Sequence, residues 1–198
     1  MNIKKHIKIS HLEPIYAIIK GQTKNRYVDL EEEEMIDQDG YRANVGIMLS
    51  NDRGELLWAR RSGQDGWQFP QGGIQKHETP QQALFRELKE EVGLEPNEVE
   101  IVNSTKDWLR YDLPKKLQRP GSKPKCIGQK QIWFLLKLNA SEHEIKLDCS
   151  ERPEFDTWCW IAPHLAAEQV VEFKKNIYRL ALTTLLPDVN LILNESMI

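Results

Sequence analysis

The chain changes hydrophobic period several times between residues 39 and 186. Ala43 to Ser50 is rich in β-formers around Gly46, Asn51-Asp52-Arg53-Gly54 reads as a hairpin turn, and Glu55 to Ala59 as the returning strand. From Thr79 the spacing becomes helical. Leu84, Phe85, Leu88 and Val92 share one stripe, Thr79 and Gln82 form a T-x-x-Q capping box, and Pro80 suits the first helical position. Gly93 is placed to close that helix in a left-handed cap. Val99 to Ser104, a segment near Trp108 to Tyr111, Gln129 to Leu138 and Thr157 to Ile161 follow as strands. A last helical stretch opens at Pro163 and is expected to stop at Pro187, with Val170, Ile177, Leu180, Ala181 and Leu185 as its packing face.

Beside the apolar stripe of the Thr79–Gly93 helix runs a second stripe, Glu87, Glu90 and Glu91, on an arc about 100° wide. Charge runs usually mark solvated faces. Crowded carboxylates also raise one another's pKa unless a cation sits among them, and hard divalent cations such as Mg²⁺ take oxygen ligands. Arg86 stands four residues before Glu90 and can offset part of the repulsion.

With 198 residues, 40% of them hydrophobic, the chain supports one domain, expected over residues 35–187. Residues 188–198 then form a tail. The run Ile132 to Leu136 is too short to span a bilayer, and no stretch has the pattern of a signal peptide. Cys126, Cys149 and Cys159 lack the spacing of zinc sites and fit reduced thiols in a cytoplasmic protein. Residues 1–34 carry no motif and end in the acidic run Glu31 to Glu34. Three readings stand for them: a regulatory arm, a loosely ordered extension, or sequence upstream of a true start at Met35. In the last, a purine-rich ribosome-binding site read in frame would show as the Glu run.

Charge is uneven beyond the helix. Between Asn103 and Lys137 there are nine Lys or Arg against Asp107 and Asp112, in a chain whose net charge is −3. Trp108 and Tyr111 lie among those cations, a mixture that suits single-stranded nucleic acid, where cations follow phosphate and a ring stacks on a base. A solvated basic loop with core aromatics reads equally well. The connection from Leu113 to Ile127 holds Pro114, Pro120, Gly121 and Pro124, and connections that long are usually functional or mobile.

One spacing is specific. Gly72, Glu78, Arg86, Glu87, Glu90, Glu91 and Gly93, with Leu88 and Leu94, fit G-x5-E-x7-R-E-U-x-E-E-x-G-U without a mismatch. This resembles the Nudix box, the signature of hydrolases that split nucleoside diphosphates linked to another group. A longer resemblance runs from about Met35 to Tyr178. D-G-Y-R-A-N-V-G at Asp39, W-A-R-R at Trp58, W-Q-F-P-Q-G-G-I at Trp67 and W-L-R-Y-D-L-P-K at Trp108 are similar to a bacterial subgroup, the RNA 5′-pyrophosphohydrolases. C-I-G-Q-K-Q-I-W-F at Cys126, P-E-F-D-T-W at Pro153 and V-V-E-F-K-K-N-I-Y at Val170 extend it. Ala43, where the subgroup leads one to expect proline, and the extra N-terminal residues depart from the pattern.

The resemblance implies an α/β Nudix fold, an α/β/α sandwich around a central mixed sheet. It implies hydrolysis of the 5′-triphosphate end of RNA to a 5′-monophosphate, opening the RNA to decay. By that resemblance Glu87, Glu90, Glu91 and Glu154 hold Mg²⁺, for which Mn²⁺ can substitute, and carry catalysis. Arg42 and Arg61 meet phosphates or the first nucleotides, Gly72 and Gly73 let the phosphate chain approach, and Tyr111 and Phe173 sandwich a base beside Lys174 and Gln129. Two other readings share the box: a hydrolase of dinucleoside polyphosphates such as diadenosine tetraphosphate, and a catalytically silent RNA-binding module.

Overall fold

The computed structural model describes residues 36–118 and 125–195. The readings of residues 1–34 and of Arg119, Pro120, Gly121, Lys123 and Pro124 fall outside the described residues. The elements in chain order are β1 (Tyr41–Ser50), β2 (Leu56–Arg61), β3 (Trp67–Gln68), β4 (Gln71–Gly73), α1 (Pro80–Val92), β5 (Val99–Ser104) and β6 (Leu109–Asp112). β7 (Gly128–Leu138), β8 (Phe155–Ile161), α2 (Pro163–Gln169) and α3 (Lys175–Glu195) complete them.

β1 and β7 form the centre. They run parallel from Tyr41 opposite Gly128 to Ser50 opposite Lys137. Every other pairing between named strands is antiparallel: β1 with β2 and β4, β2 with β3 and β8, and β7 with β5 and β6. The sheet is therefore mixed, as expected. A strand with partners on both edges and layers on both faces reads as a continuous apolar run, and Ala43 to Ser50 is buried at all eight positions.

Alternation along the strands sorts side chains between two cores. Val45, Ile47 and Leu49 of β1, Leu57 and Ala59 of β2, and Phe134 and Leu136 of β7 pack with Leu84, Leu88 and Val92 of α1. On the other face Met48, Leu56, Trp58, Trp133 and Leu135 pack with Ala166, Ala167, Ile177, Tyr178, Ala181 and Leu185 of α2 and α3. These are the three layers of an α/β/α sandwich.

The hairpin turn is present, and three expectations for the C-terminal stretch need correction. Asn51-Asp52-Arg53-Gly54 is a turn, with the Asn51 side chain accepting from Arg53 and Glu55 backbone N–H groups at 2.9 and 3.0 Å. The strands it joins pair only at Ser50 and Leu56, because β2 then turns to β8 and β3 while β1 turns to β4 and β7. The C-terminal helical stretch is broken rather than continuous. Val170 is extended (ψ 155°), a single 3₁₀ turn covers Glu172–Lys174, and α3 starts afresh at Lys175. Adjacent β-branched valines disfavour helix at that point. Pro187 does not stop α3, which runs on to Glu195. A helical proline loses one hydrogen bond, and burial of Val189 and Ile192 on the sheet outweighs that loss here. Leu180, expected to pack, is 50% exposed, and Tyr178 and Leu182 take the inward positions.

Candidate active site

α1 begins and ends as its sequence dictates. Thr79 Oγ1 accepts from Gln82 N–H at 3.2 Å, Gln82 Oε1 accepts from Thr79 N–H at 2.8 Å, and Gly93 is left-handed with φ 75°. Fixed at both ends, the helix presents Glu87 and Glu91 beneath β4. Three consecutive β4 residues then define the site. The Gln71 N–H donates to Glu91 Oε2 at 2.9 Å. Gly72 faces Glu87 so closely that a Cβ would lie 1.7 Å from Glu87 Cδ. The Gly73 carbonyl accepts from Arg86 Nη2 at 2.7 Å, and a Cβ there would lie 2.2 Å from Arg42 Nη2. Glycine at these two positions lets the Glu87 carboxylate and the Arg42 guanidinium lie against the strand; a side chain there would displace them.

Arg86 is the hub of the carboxylates. It donates to Glu78 at 2.9 and 3.0 Å, to Glu87 at 2.7 Å and to Glu90 at 3.2 Å. Burial opposes its charge, but Glu78 and Glu87 more than offset that and hold the guanidinium firmly protonated. Burial pushes the Glu87 carboxyl up, with Arg86 resisting. Glu91 rises well above the usual carboxylate range, first through burial and then through repulsion by Glu87 and Glu154. Glu90 differs from its neighbours, with a side chain 52% exposed. Glu154 is brought to the site from the loop before β8, where Arg61 Nη2 meets its Oε1 at 2.7 Å. A register shift between Arg60 and Arg61 re-aims the end of β2 toward this contact.

A cleft of about 480 Å³ opens beside the carboxylates, and Arg42, Arg61, Tyr111, Gln129, Phe173 and Lys174 all line it. The break between α2 and α3 delivers Phe173 and Lys174. Lys174 Nζ is buried and donates to Gln68 Oε1 at 2.8 Å and Gln71 Oε1 at 3.0 Å. Burial lowers its pKa to about 7, with Arg61 adding to the effect. The Tyr111 hydroxyl donates to Gln129 Oε1, and burial raises its pKa. The Tyr111 and Phe173 rings lie 6.0 Å apart at 34°, a spacing at which rings touch each other directly.

The family comparison decides the lineage. Residues 40–181 match the NUDIX domain. The chain belongs to the Nudix family. A relative named RNA pyrophosphohydrolase from Marinomonas sp. (strain MWYL1) is 60% identical over 153 residues, 77% of this chain and 95% of that protein. One of the same name from Hydrogenovibrio crunogenus is 58% identical over 151 residues, 76% and 92% of the two chains. Among solved structures, the E. coli dihydroneopterin triphosphate pyrophosphohydrolase aligns with a TM-score of 0.56 at 20% identity, covering 70% of this chain and 92% of that one. A C. elegans Ap4A hydrolase aligns with a TM-score of 0.52 at 21% identity, covering 73% and 98%. These two show the shared fold.

This Nudix hydrolase acts on phosphoric anhydride bonds, chemistry in which the family uses divalent cations. The site fits such an ion in donor type: four carboxylates supply hard oxygen, and the crowding of Glu87, Glu91 and Glu154 is relieved by positive charge. Among the described residues no three Glu, Asp, His or Cys side chains converge on a common point as they stand. Glu87 and Glu90 are turned to Arg86, and Glu154 to Arg61.

The basic segment is less positive than its count. Lys130 pairs with Asp37 at 2.9 Å and Arg110 with Asp39 at 3.2 Å, while their charges also lie over Trp108 and Tyr41. Sequence reasoning assigned nothing to Gln68 and Gln71, although both sit in W-Q-F-P-Q-G-G. Their signal was polar side chains in a stretch that has to pack into the sheet.

Two outcomes follow. Glu91→Gln keeps an acceptor for the Gln71 N–H and removes a buried charge, so the variant folds with an unchanged or higher thermal midpoint without divalent cation. Its activity falls more than about 100-fold, beyond the usual cost of losing an outer-shell partner. Wild-type turnover in the folded variant contradicts the assignment. The second outcome concerns Lys174, whose folded pKa of about 7 lies below the ordinary lysine value of about 10.4. Between those values the unfolded chain binds one proton more, so stability rises with pH by about 1.4 kcal/mol per unit from this group. Lys174→Met abolishes that increment, read as the change in urea-unfolding free energy between pH 7.5 and 9.5 in wild type and variant; an equal change in both contradicts it.

Proposed function

We propose that the chain hydrolyses the 5′-triphosphate end of RNA to a 5′-monophosphate with Mg²⁺, releasing pyrophosphate or successive phosphates. The observation that carries this is a nucleotide-sized cleft, lined by Arg42, Arg61 and Lys174, opening beside the buried glutamates of the Nudix box. Relatives named RNA pyrophosphohydrolase at 57–60% identity, spanning 92–96% of most such proteins, support the same reading. No helix among the described residues is long and apolar enough to cross a membrane, and a cytoplasmic setting fits an RNA substrate.

Glu87, Glu90, Glu91 and Glu154 would hold Mg²⁺ (or Mn²⁺), and Arg42 and Arg61 meet the phosphates. The bound ion supplies neutralisation of the phosphate chain and activation of water. Arg86 keeps Glu87 and Glu90 oriented between substrate turnovers. Arg61 releases Glu154 as it transfers its hydrogen bonds to phosphate, an exchange of one anion for another. Phosphate charge that grows in the transition state is stabilised by these fixed cations without further reorganisation. Tyr111, Phe173, Gln129 and Lys174 receive a base, which requires the two rings to part from direct contact. Gly72 and Gly73 leave room for the polyphosphate along β4.

The test is product identity. RNA carrying label in both the α and γ phosphates, incubated with Mg²⁺, yields RNA with a single labelled 5′-monophosphate, and the γ label appears in pyrophosphate or phosphate. Absence of monophosphorylated RNA overturns the proposal, and bound but unchanged RNA would support the silent RNA-binding module instead.

A further inference from the structure

Gln71 lines the cleft, and its backbone also holds a box glutamate. Its N–H donates to Glu91 Oε2 at 2.9 Å. Its side-chain Oε1 accepts from Lys174 Nζ at 3.0 Å and from the fully buried Gln131 amide at 3.4 Å. Tyr111 lines the same cleft. Three groups, Glu91 of α1, Gln131 of β7 and Lys174 of the 3₁₀ turn, thus meet a single residue at the start of β4, which is anchored opposite Gly46 of β1.

We propose that Gln71 is a positioning residue that ties the nucleotide cleft to the reacting end of the site, so that its side chain fixes the N–H that orients Glu91. The proposal rests on the reading that this site hydrolyses RNA 5′ ends, and it adds a coupling that the reading does not require. The side-chain carbonyl is held by both Lys174 and Gln131. Rotation of the residue is therefore opposed, and its backbone N–H stays aimed at Glu91. A base entering the cleft contacts Lys174, a group that clamps Gln71. Occupancy of the cleft and orientation of the carboxylate become one event.

Two variants separate this coupling from simple packing. Gln71→Leu keeps the volume and the backbone N–H but has no polar side-chain atoms. Gln71→Glu keeps the acceptor for Lys174 and places a carboxylate beside it. With triphosphate RNA, Gln71→Leu is expected to lower kcat by about 10–100-fold, the range for outer-shell partners, with KM changed less than about threefold. Gln71→Glu should restore at least a third of wild-type kcat and move the alkaline limb of the pH profile upward, because a neighbouring anion favours the Lys174 ammonium. Urea midpoints establish that both variants are folded. A kcat for Gln71→Leu within threefold of wild type overturns the coupling, as does an equal loss in both variants with an unmoved pH profile. Failure of the wild-type protein to turn over RNA is a separate result that strikes the functional reading alone. In that case the same ratio between variants is measured on diadenosine tetraphosphate.

Discussion

Everything at this site depends on one guanidinium among carboxylates. Arg86 bonds Glu78, Glu87, Glu90 and the Gly73 carbonyl at once, joining the loop before α1, the helix itself and β4. Without a cation there, carboxylates packed against the sheet would neutralise by protonation or force the helix away. Arg86 makes a cluster of carboxylates compatible with a folded core. For Glu91, burial and then repulsion by Glu87 and Glu154 raise the proton affinity, and the Gln71 N–H and Arg61 relieve it only in part.

The fold exists around that arrangement in a specific way. α1 packs its apolar stripe on one face of the β1–β7 sheet, and β4 lies along β1 directly over the acidic stripe. The opposite face carries α2 and α3, whose interruption supplies Phe173 and Lys174. The cleft draws on the sheet and on the break between α2 and α3, and it meets the α1 glutamates at Gln71. Lys174 shows the cost of such placement. Its ammonium loses solvation, and two glutamine carbonyls only partly replace the water.

Much of this was legible in the residues. The capping box, the left-handed Gly93 and the two stripes of α1 are local consequences of sequence, and each is present. The box spacing and the flanking motifs selected the family, and six residues named for substrate contact do line one cleft. What escaped was set by tertiary packing. Pro187 reads as a helix stop, yet buried Val189 and Ile192 carry α3 past it. The Val170–Val171 break was hidden inside a helical period. The basic segment read as a charge excess because Asp37 and Asp39, distant in sequence, pair with Lys130 and Arg110 only after folding. Gln68 and Gln71 carry no periodic signal at all, since their importance comes from a lysine about a hundred residues away.

The central claim is that the buried glutamates serve an RNA 5′ end bound in the adjoining cleft. The most direct measurement is kcat/KM with Mg²⁺ for a triphosphorylated RNA and for diadenosine tetraphosphate, under identical conditions. The account predicts a clear preference for RNA. A preference for the dinucleotide would leave the Nudix chemistry standing and contradict the assignment of the cleft to RNA.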